Sequence, residues 1–185
     1  MAGVKTAFAT YRFDARTGVV KSAGIATSDE IVASDPTEAA WSNLKTSYGQ
    51  GHAIDADSSG EVVLGSAIAQ ELKKTIGDTV ELPINPPRGA APHIFKVVGI
   101  LNVTQTGPDH FAGVNITDGQ LLLKDSPPDA QAGQPDVSTV ATAIDVYARS
   151  GTSVTDLDRI ADQINKQVSG VKATRPSELL SSVKP

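Results

Sequence analysis

Residues 94–101 constrain this chain more than any other stretch. Phe95, Val97, Val98, Ile100 and Leu101 fall on both parities of an extended segment, so both faces of the strand they predict are apolar. A strand of that kind sits near the middle of a sheet and needs cover on each side. Gly99, inside it, predicts a bulge or a close approach by another backbone. The covering material must be aliphatic, because only 4% of the 185 residues are aromatic and Trp41 is the single tryptophan. Val, Ile, Leu and Ala therefore have to build the interior.

The remaining pattern alternates short strands with short helices. Residues 4–13 read as a strand ending near Asp14, and Val19 to Ala26 as a second one. Asp35-Pro36-Thr37-Glu38 has the residues of a helix start: Asp at the N-cap, Pro at the first helical position and Glu at the third. That helix is expected to bury Trp41 and Leu44 and to stop before Gly49 or Gly51. A polar turn at 55–60 precedes a strand from Glu61 to Leu64. A helix from Ala67 to Thr75 follows, with Ile68 and Leu72 on one face. Gly77-Asp78 makes a turn into a strand from Thr79 to Leu82, and the proline-rich residues 83–92 form a hairpin-like excursion.

Beyond the apolar strand, residues 104–113 read as a polar loop. Val114–Ile116 is a strand, and Thr117 with Gln120 caps a helix running through Leu123. Residues 126–138, rich in Pro and Asp, read as a connector. The tail runs strand (Val140–Ala148), helix, strand (Val171–Thr174) and a last helix from Pro176. Ser153 and Asp156 open the first of these helices, Gly170 follows it, and Val154, Leu157, Ile160, Ala161, Ile164 and Val168 share one face. The expected class is α+β.

Composition removes several functions. With no Cys, the chain has no disulfide, thiolate chemistry or Cys-based metal site. The net charge is −5 and Lys73-Lys74 is the only adjacent basic pair, so nothing provides the basic stripe and stacking aromatics of a nucleic-acid surface. No run of about 18 apolar residues predicts a membrane-crossing helix, and no charged-then-apolar leader is present. Strand-like sequence begins directly after Met1-Ala2-Gly3, which reads as an excised domain whose anchoring segments lie elsewhere.

No catalytic constellation emerges. His52, His93 and His110 are far apart, lack ligand-type spacing and read as solvated loop residues. Gly65-Ser66 is half of a nucleophile elbow, but Leu64 and Ile68 occupy the positions where glycines belong, so Ser66 reads as a helix N-cap. Asp55 and Asp57 open a calcium-loop pattern that Gly60 continues at the sixth position. Ser66, at the twelfth, lacks the required carboxylate. Neither a Walker A pattern nor a dinucleotide fingerprint is present. The chain is expected not to be an enzyme and to need no cofactor or metal.

An ordered series of motifs carries a resemblance. Glu61-Val62-Val63-Leu64-Gly65-Ser66-Ala67 is followed by Ile76-Gly77-Asp78-Thr79-Val80-Glu81-Leu82, and then by Phe95-Lys96-Val97-Val98-Gly99-Ile100-Leu101. Val114-Asn115-Ile116, Gln120-Leu121-Leu122 and the closing segments from Ile144 to Thr174 keep the same order. Across residues 50–182 the chain resembles the extracytoplasmic core domain of MacB/FtsX-type ABC transporter permeases. Two departures stand out: Gly51-His52 replaces a common Gly-Arg, and the strand and helix expected before residue 4 are not evident.

The resemblance implies a domain inserted between the first two membrane helices of a permease, on the extracytoplasmic side. It implies a membrane-proximal β-α-β, ferredoxin-like half (porter-like) built from residues 1–49 and 139–185. A strand-rich inserted part would occupy 50–125, joined by the connector 126–138. The implied partners are a separate cytoplasmic ATPase, a second permease copy and an extracytoplasmic adaptor or cargo, with motion rather than chemistry passed between them. Loops carry recognition more often than strands do, so His110 and Phe111, in the loop 104–113, are the first candidates for partner contact. Two other readings compete: a β-barrel binding module of a cytosolic protein, to which the tail at 140–182 would be superfluous, and a small hydrolase using Ser66 or Asp109-His110.

Overall fold

The two-sided strand sits where its pattern requires, paired along both edges. A computed structural model describes residues 3–14, 20–22, 25–27, 29–42, 46–83, 93–125 and 140–182. In chain order the strands are β1 (Val4–Asp14), β2 (Val20–Ser22), β3 (Ile25–Thr27), β4 (Glu30–Ser34), β5 (Tyr48–Gly51), β6 (Glu61–Leu64), β7 (Thr79–Leu82), β8 (His93–Leu101), β9 (Phe111–Asn115) and β10 (Ala143–Ala148). The helices are α1 (Ser66–Leu72), α2 (Ile116–Asp125), α3 (Val154–Gln167) and α4 (Pro176–Ser182).

Eight strands form one mixed sheet in the order β10-β1-β4-β9-β6-β8-β5, with β7 also on β8. Strand β6 runs parallel along one edge of β8. The other edge is shared: β7 lies antiparallel to residues 93–96 and β5 to residues 99–101. This is an α+β fold, and its strand path has two ends among the described residues rather than closing into a barrel.

Chain contacts divide the protein into two compact units, one of Met1–Ala7 with Asp145–Pro185 and one of Phe8–Ile144. The division expected near residue 49 falls inside the second unit, where β4 pairs with β9 in parallel. The connector 126–138 lies outside the described residues.

In the Phe8–Ile144 unit, one face of the sheet buries Tyr11, Ile31, Ala33, Val62, Leu64, Phe95, Val97, Ala112 and Val114. Ile68 from α1 and Leu122 from α2 complete that layer. Val63, Val98 and Leu101, with Ile54 packed on them, form a smaller cluster. The residues of β8 are divided between the two clusters, as a strand covered on both faces requires. Opposite β6, Val62 pairs with Val97 but Val63 pairs with Gly99, so Val98 is one residue too many for the ladder. A Cβ at Gly99 would lie 2.4 Å from the His52 carbonyl oxygen. The glycine therefore serves both purposes expected of it.

Helix α2 rests on β4 through Gly119, where an added Cβ would come within 2.1 Å of the Ala33 Cβ. Strand β9 runs into α2 without a loop: Asn115 ends the strand and its side-chain oxygen accepts from the Thr117 N–H. The helix thus begins at Ile116, and Thr117 is not its cap.

Several local expectations shift. The run Val19–Ala26 is two short strands, β2 and β3, paired with each other. Asp35 does cap by accepting from Thr37, but the turn closes i to i+3 and ends as a 3₁₀ helix at Ala40. Trp41 is 39% exposed, and Leu44 lies outside the described residues. Helix α1 starts one residue earlier than expected and ends at Leu72, because Lys73 turns left-handed with φ 53°. Gly65, not Ser66, is its N-cap.

In the other unit, Ser153 caps α3 as expected, accepting from the Asp156 N–H. Only Ile160 and Ala161 of its apolar stripe are buried, and Val154 and Val168 are exposed. Residues 171–174 are not a strand. The Asn165 amide takes the place of a neighbouring strand, accepting from the Ala173 N–H at 2.7 Å and donating to its carbonyl at 2.9 Å. Helix α4 begins at Pro176 as expected.

Candidate functional site

The parallel strands β4 and β9 start side by side, and the residue before each carries a titratable side chain. Asp29 precedes β4, and His110 precedes β9. The His110 Nδ1–H donates to Asp29 Oδ1 at 2.9 Å, with the two side chains 8% and 1% exposed. A buried hydrogen-bonded pair of this kind fixes the relative position of the two strand starts. Far from being a solvated loop residue, His110 is fixed beneath the surface.

The residues leading to it form a short 3₁₀ helix, Gly107–His110, in which Pro108, Asp109 and His110 are all buried. The Asp109 carboxylate accepts from the Thr104 N–H and hydroxyl, both at 2.8 Å, and from the Gln105 N–H at 2.7 Å. Ser66 also bonds to it. Burial alone would raise the pKa of Asp109; the bonds from Thr104, Gln105 and Ser66 outweigh it and hold the group below its ordinary value. Gly65 makes room: an added Cβ there would lie 2.3 Å from the Pro108 and Asp109 carbonyl oxygens.

The result is an exposed loop on a buried peg. Asn102 to Gly107 are exposed, and Val103 is 71% exposed. Behind the loop, Asn102 donates through its backbone N–H to the Ser47 carbonyl and through its amide to the Ser47 hydroxyl, both at 2.9 Å. Phe111, half-buried at the start of β9, carries the Arg12 guanidinium 5.9 Å from its ring centroid. The polar loop expected at 104–113 is thus exposed only over 104–107, and its second half is a 3₁₀ turn and the start of β9, largely buried.

A second polar cluster fixes the turn at 55–60. The Asn115 amide donates to the carbonyls of Ala56 and Ser58, and Asp118 accepts from the Gly60 N–H at 2.9 Å. Burial lifts the Asp118 carboxyl above its ordinary range. The Gly60 bond and the nearby His93 oppose that rise, and Glu61 adds to it. His93 opens β8 and donates to Asp125 at 2.8 Å, while His52 is exposed and bonds the Ala53 carbonyl. Ser58, through its N–H and hydroxyl, closes the turn on the Asp55 carbonyl.

Ser66 and His110 are not assembled as nucleophile and base: Ser66 faces Asp109 and the Nδ1 of His110 faces Asp29. Among the described residues no group of three or more metal-binding side chains converges. Asp29, Asn115 and Asp118 organise these clusters, yet no motif marks them, because their partners are 81, 59 and 58 positions away.

The sequence profile of the MacB-like periplasmic core domain matches residues 2–167. The chain belongs to that family. Two solved structures share the fold of this MacB-like domain. The periplasmic region of MacB from Actinobacillus actinomycetemcomitans aligns at TM-score 0.57 with 13% identity, covering 99% of this chain and 77% of that one. The extracellular domain of the noncanonic ABC-type transporter YknZ from Gram-positive bacteria aligns at 0.53 with 15% identity, covering 93% and 80%. No curated protein sequence matches the MacB-like domain described here. The resemblance carried by the motif series is borne out, and its glycines and aspartates are fold determinants.

Proposed function

We propose that this chain is the extracytoplasmic domain of an ABC transporter permease. In that reading it passes conformational change, driven by a separate cytoplasmic ATPase, to cargo or to a partner outside the membrane. Membership of the MacB-like periplasmic core domain family across residues 2–167 carries the reading. No helix among the described residues is long and apolar enough to cross a membrane, so anchoring falls to other segments of the permease. Residues 3–7 and 145–182 share one compact unit, which suits insertion between consecutive membrane helices. The domain acts without catalysis, as one of two permease copies.

For partner contact the loop 102–107 with Phe111 is the presenting surface. His110, at 6% exposure, supports it from behind through Asp29. The test is made in the full-length permease with its ATPase in proteoliposomes. Exchanging residues 3–182 for a flexible linker should leave basal ATP hydrolysis and abolish transport. A gene product with no hydrophobic helices flanking this domain, or transport that survives the exchange, overturns the proposal.

A further inference from the structure

A cleft of about 410 Å³ lies between α1 and the edge formed by β5 and β8. It is a shallow depression, more open than enclosed, with room for a small group. Its floor is apolar and buried, made by Ala69 and Ile100, and its wall is polar, made by Gln50, Gln70, Lys73 and Lys74. We propose that this cleft binds a carboxylate carried on a short apolar body.

The charge argument comes first. In a chain of net charge −5, the only adjacent basic pair opens onto this cleft. Among the described residues neither lysine forms an ion pair. Asp78 feels the Lys74 charge, but one of its carboxylate oxygens is committed to the Thr75 N–H and hydroxyl. Among the described residues Lys74 has only the longer-range attraction of Asp78, so an incoming anion adds a contact that its ammonium does not already make. Backbone geometry is the second, independent observation. Lys73 stands left-handed, at φ 53°, with its N–H bonded to the carbonyls of Ala69 and Gln70. A non-glycine residue in that region is strained, and such residues concentrate at ligand sites. The turn ends α1 at the cleft, whose lining includes both lysines and both glutamines.

The donor set selects the anion. Each lysine is a compact point charge with three donors, and each glutamine adds an N–H₂ group. No arginine fork lines the cleft, so an anion there is held by point charges and amide N–H groups, which the two oxygens of a carboxylate can both engage. The Ser66 and Thr75 hydroxyls point to Asp109 and Asp78, leaving the lysines and glutamines as the free donors.

The experiment is an amide-correlation NMR titration of the 185-residue chain. Its two arms use sodium glutarate, a free dicarboxylate, and the peptide acetyl-Glu-Leu-Glu-amide, against sodium chloride at matched ionic strength. The expected result is a set of saturable shifts at Gln50, Gln70, Lys73 and Lys74. Binding should be at least about tenfold weaker in the Lys73→Gln/Lys74→Gln double variant with its spectrum otherwise intact. Response to glutarate alone assigns the site to a free metabolite, response to the peptide alone to a protein partner's acidic segment, and response to both to the carboxylate itself. Shifts matching those of chloride, or undiminished binding in the double variant, overturn the proposal. None of these outcomes depends on whether the domain serves a permease.

Discussion

The two compact units are held by different means. Between Phe8 and Ile144, apolar side chains from the sheet strands and two helices fill a continuous interior, and buried polar groups such as Asp109, Asn115 and Asp118 are bonded by other residues. Among the described residues of the unit 1–7 and 145–185, Ile160 and Ala161 are the buried ones. Its order comes instead from polar pairs: Ser153 with Asp156, Asn165 with Ala173, Arg175 with Asp162 and the Ser177 N–H with Asp158. Burial is non-directional and tolerates rearrangement, whereas hydrogen bonds fix angles. The Phe8–Ile144 unit is therefore built for stability and the other for a defined but easily disrupted shape.

Four experiments press on that contrast. Phe95→Ala should cost the most, about 3–5 kcal/mol in chemical denaturation, since it empties a site in the core layer; a loss below about 1 kcal/mol would dissolve the distinction. Gly119→Ala comes next. Replacing a helical glycine by alanine ordinarily gains about 1 kcal/mol, yet here the new methyl meets Ala33, and a loss of about 1–3 kcal/mol is expected. Adding Ala33→Gly should restore most of it, and failure of that rescue would remove the close helix–strand contact as the cause. Asn165→Ala should cost about 1–2 kcal/mol and act locally. In hydrogen exchange the Ala173 amide should lose protection while those of Val62 and Val97 keep theirs; loss at all three would mean that the two units unfold together.

The smallest changes appear along pH, where two carboxyls within the core unit have opposite signs. Asp109 is lowered from its ordinary 3.8, so its contribution is present above that value and lost as pH falls through the folded one. Asp109→Asn should flatten the acid limb of the stability curve below about pH 4. Asp118 is raised, so its contribution is present below 3.8 and lost as pH rises through the folded value. Asp118→Asn should therefore gain on the parent protein as pH rises from about 4. Parallel curves for both variants would show that neither group is held as described.

What the sequence shows follows from reach. The two-sided strand, the bulge glycine and the caps at Asp35 and Ser153 depend on residues within a few positions, and each is found in place. The end of the helix at 36 and of α1 was misplaced, because a 3₁₀ closure and a left-handed lysine leave no strong composition signal. The extended run at 171–174 has strand-like residues, but a side-chain amide answers its backbone instead of a strand. Least visible were His110 and its surroundings. A histidine among Thr, Gln, Gly and Asp looks solvated until Asp29 is placed beside it, and nothing local to either residue announces the other.

That same pair sets a timetable for the chain. Asp29 and His110 are 81 positions apart, and the strands they precede are neighbours in the sheet. During synthesis β4 must wait, one edge unfilled, until β9 has emerged. The loop closed at that moment costs entropy that grows only slowly with its length. Non-local pairing of this kind slows folding far more than it weakens the finished sheet. Substitutions at Asp29 or His110 should then be felt as delayed assembly and as losses to aggregation while β4 is bare, before any effect on the assembled domain is noticed.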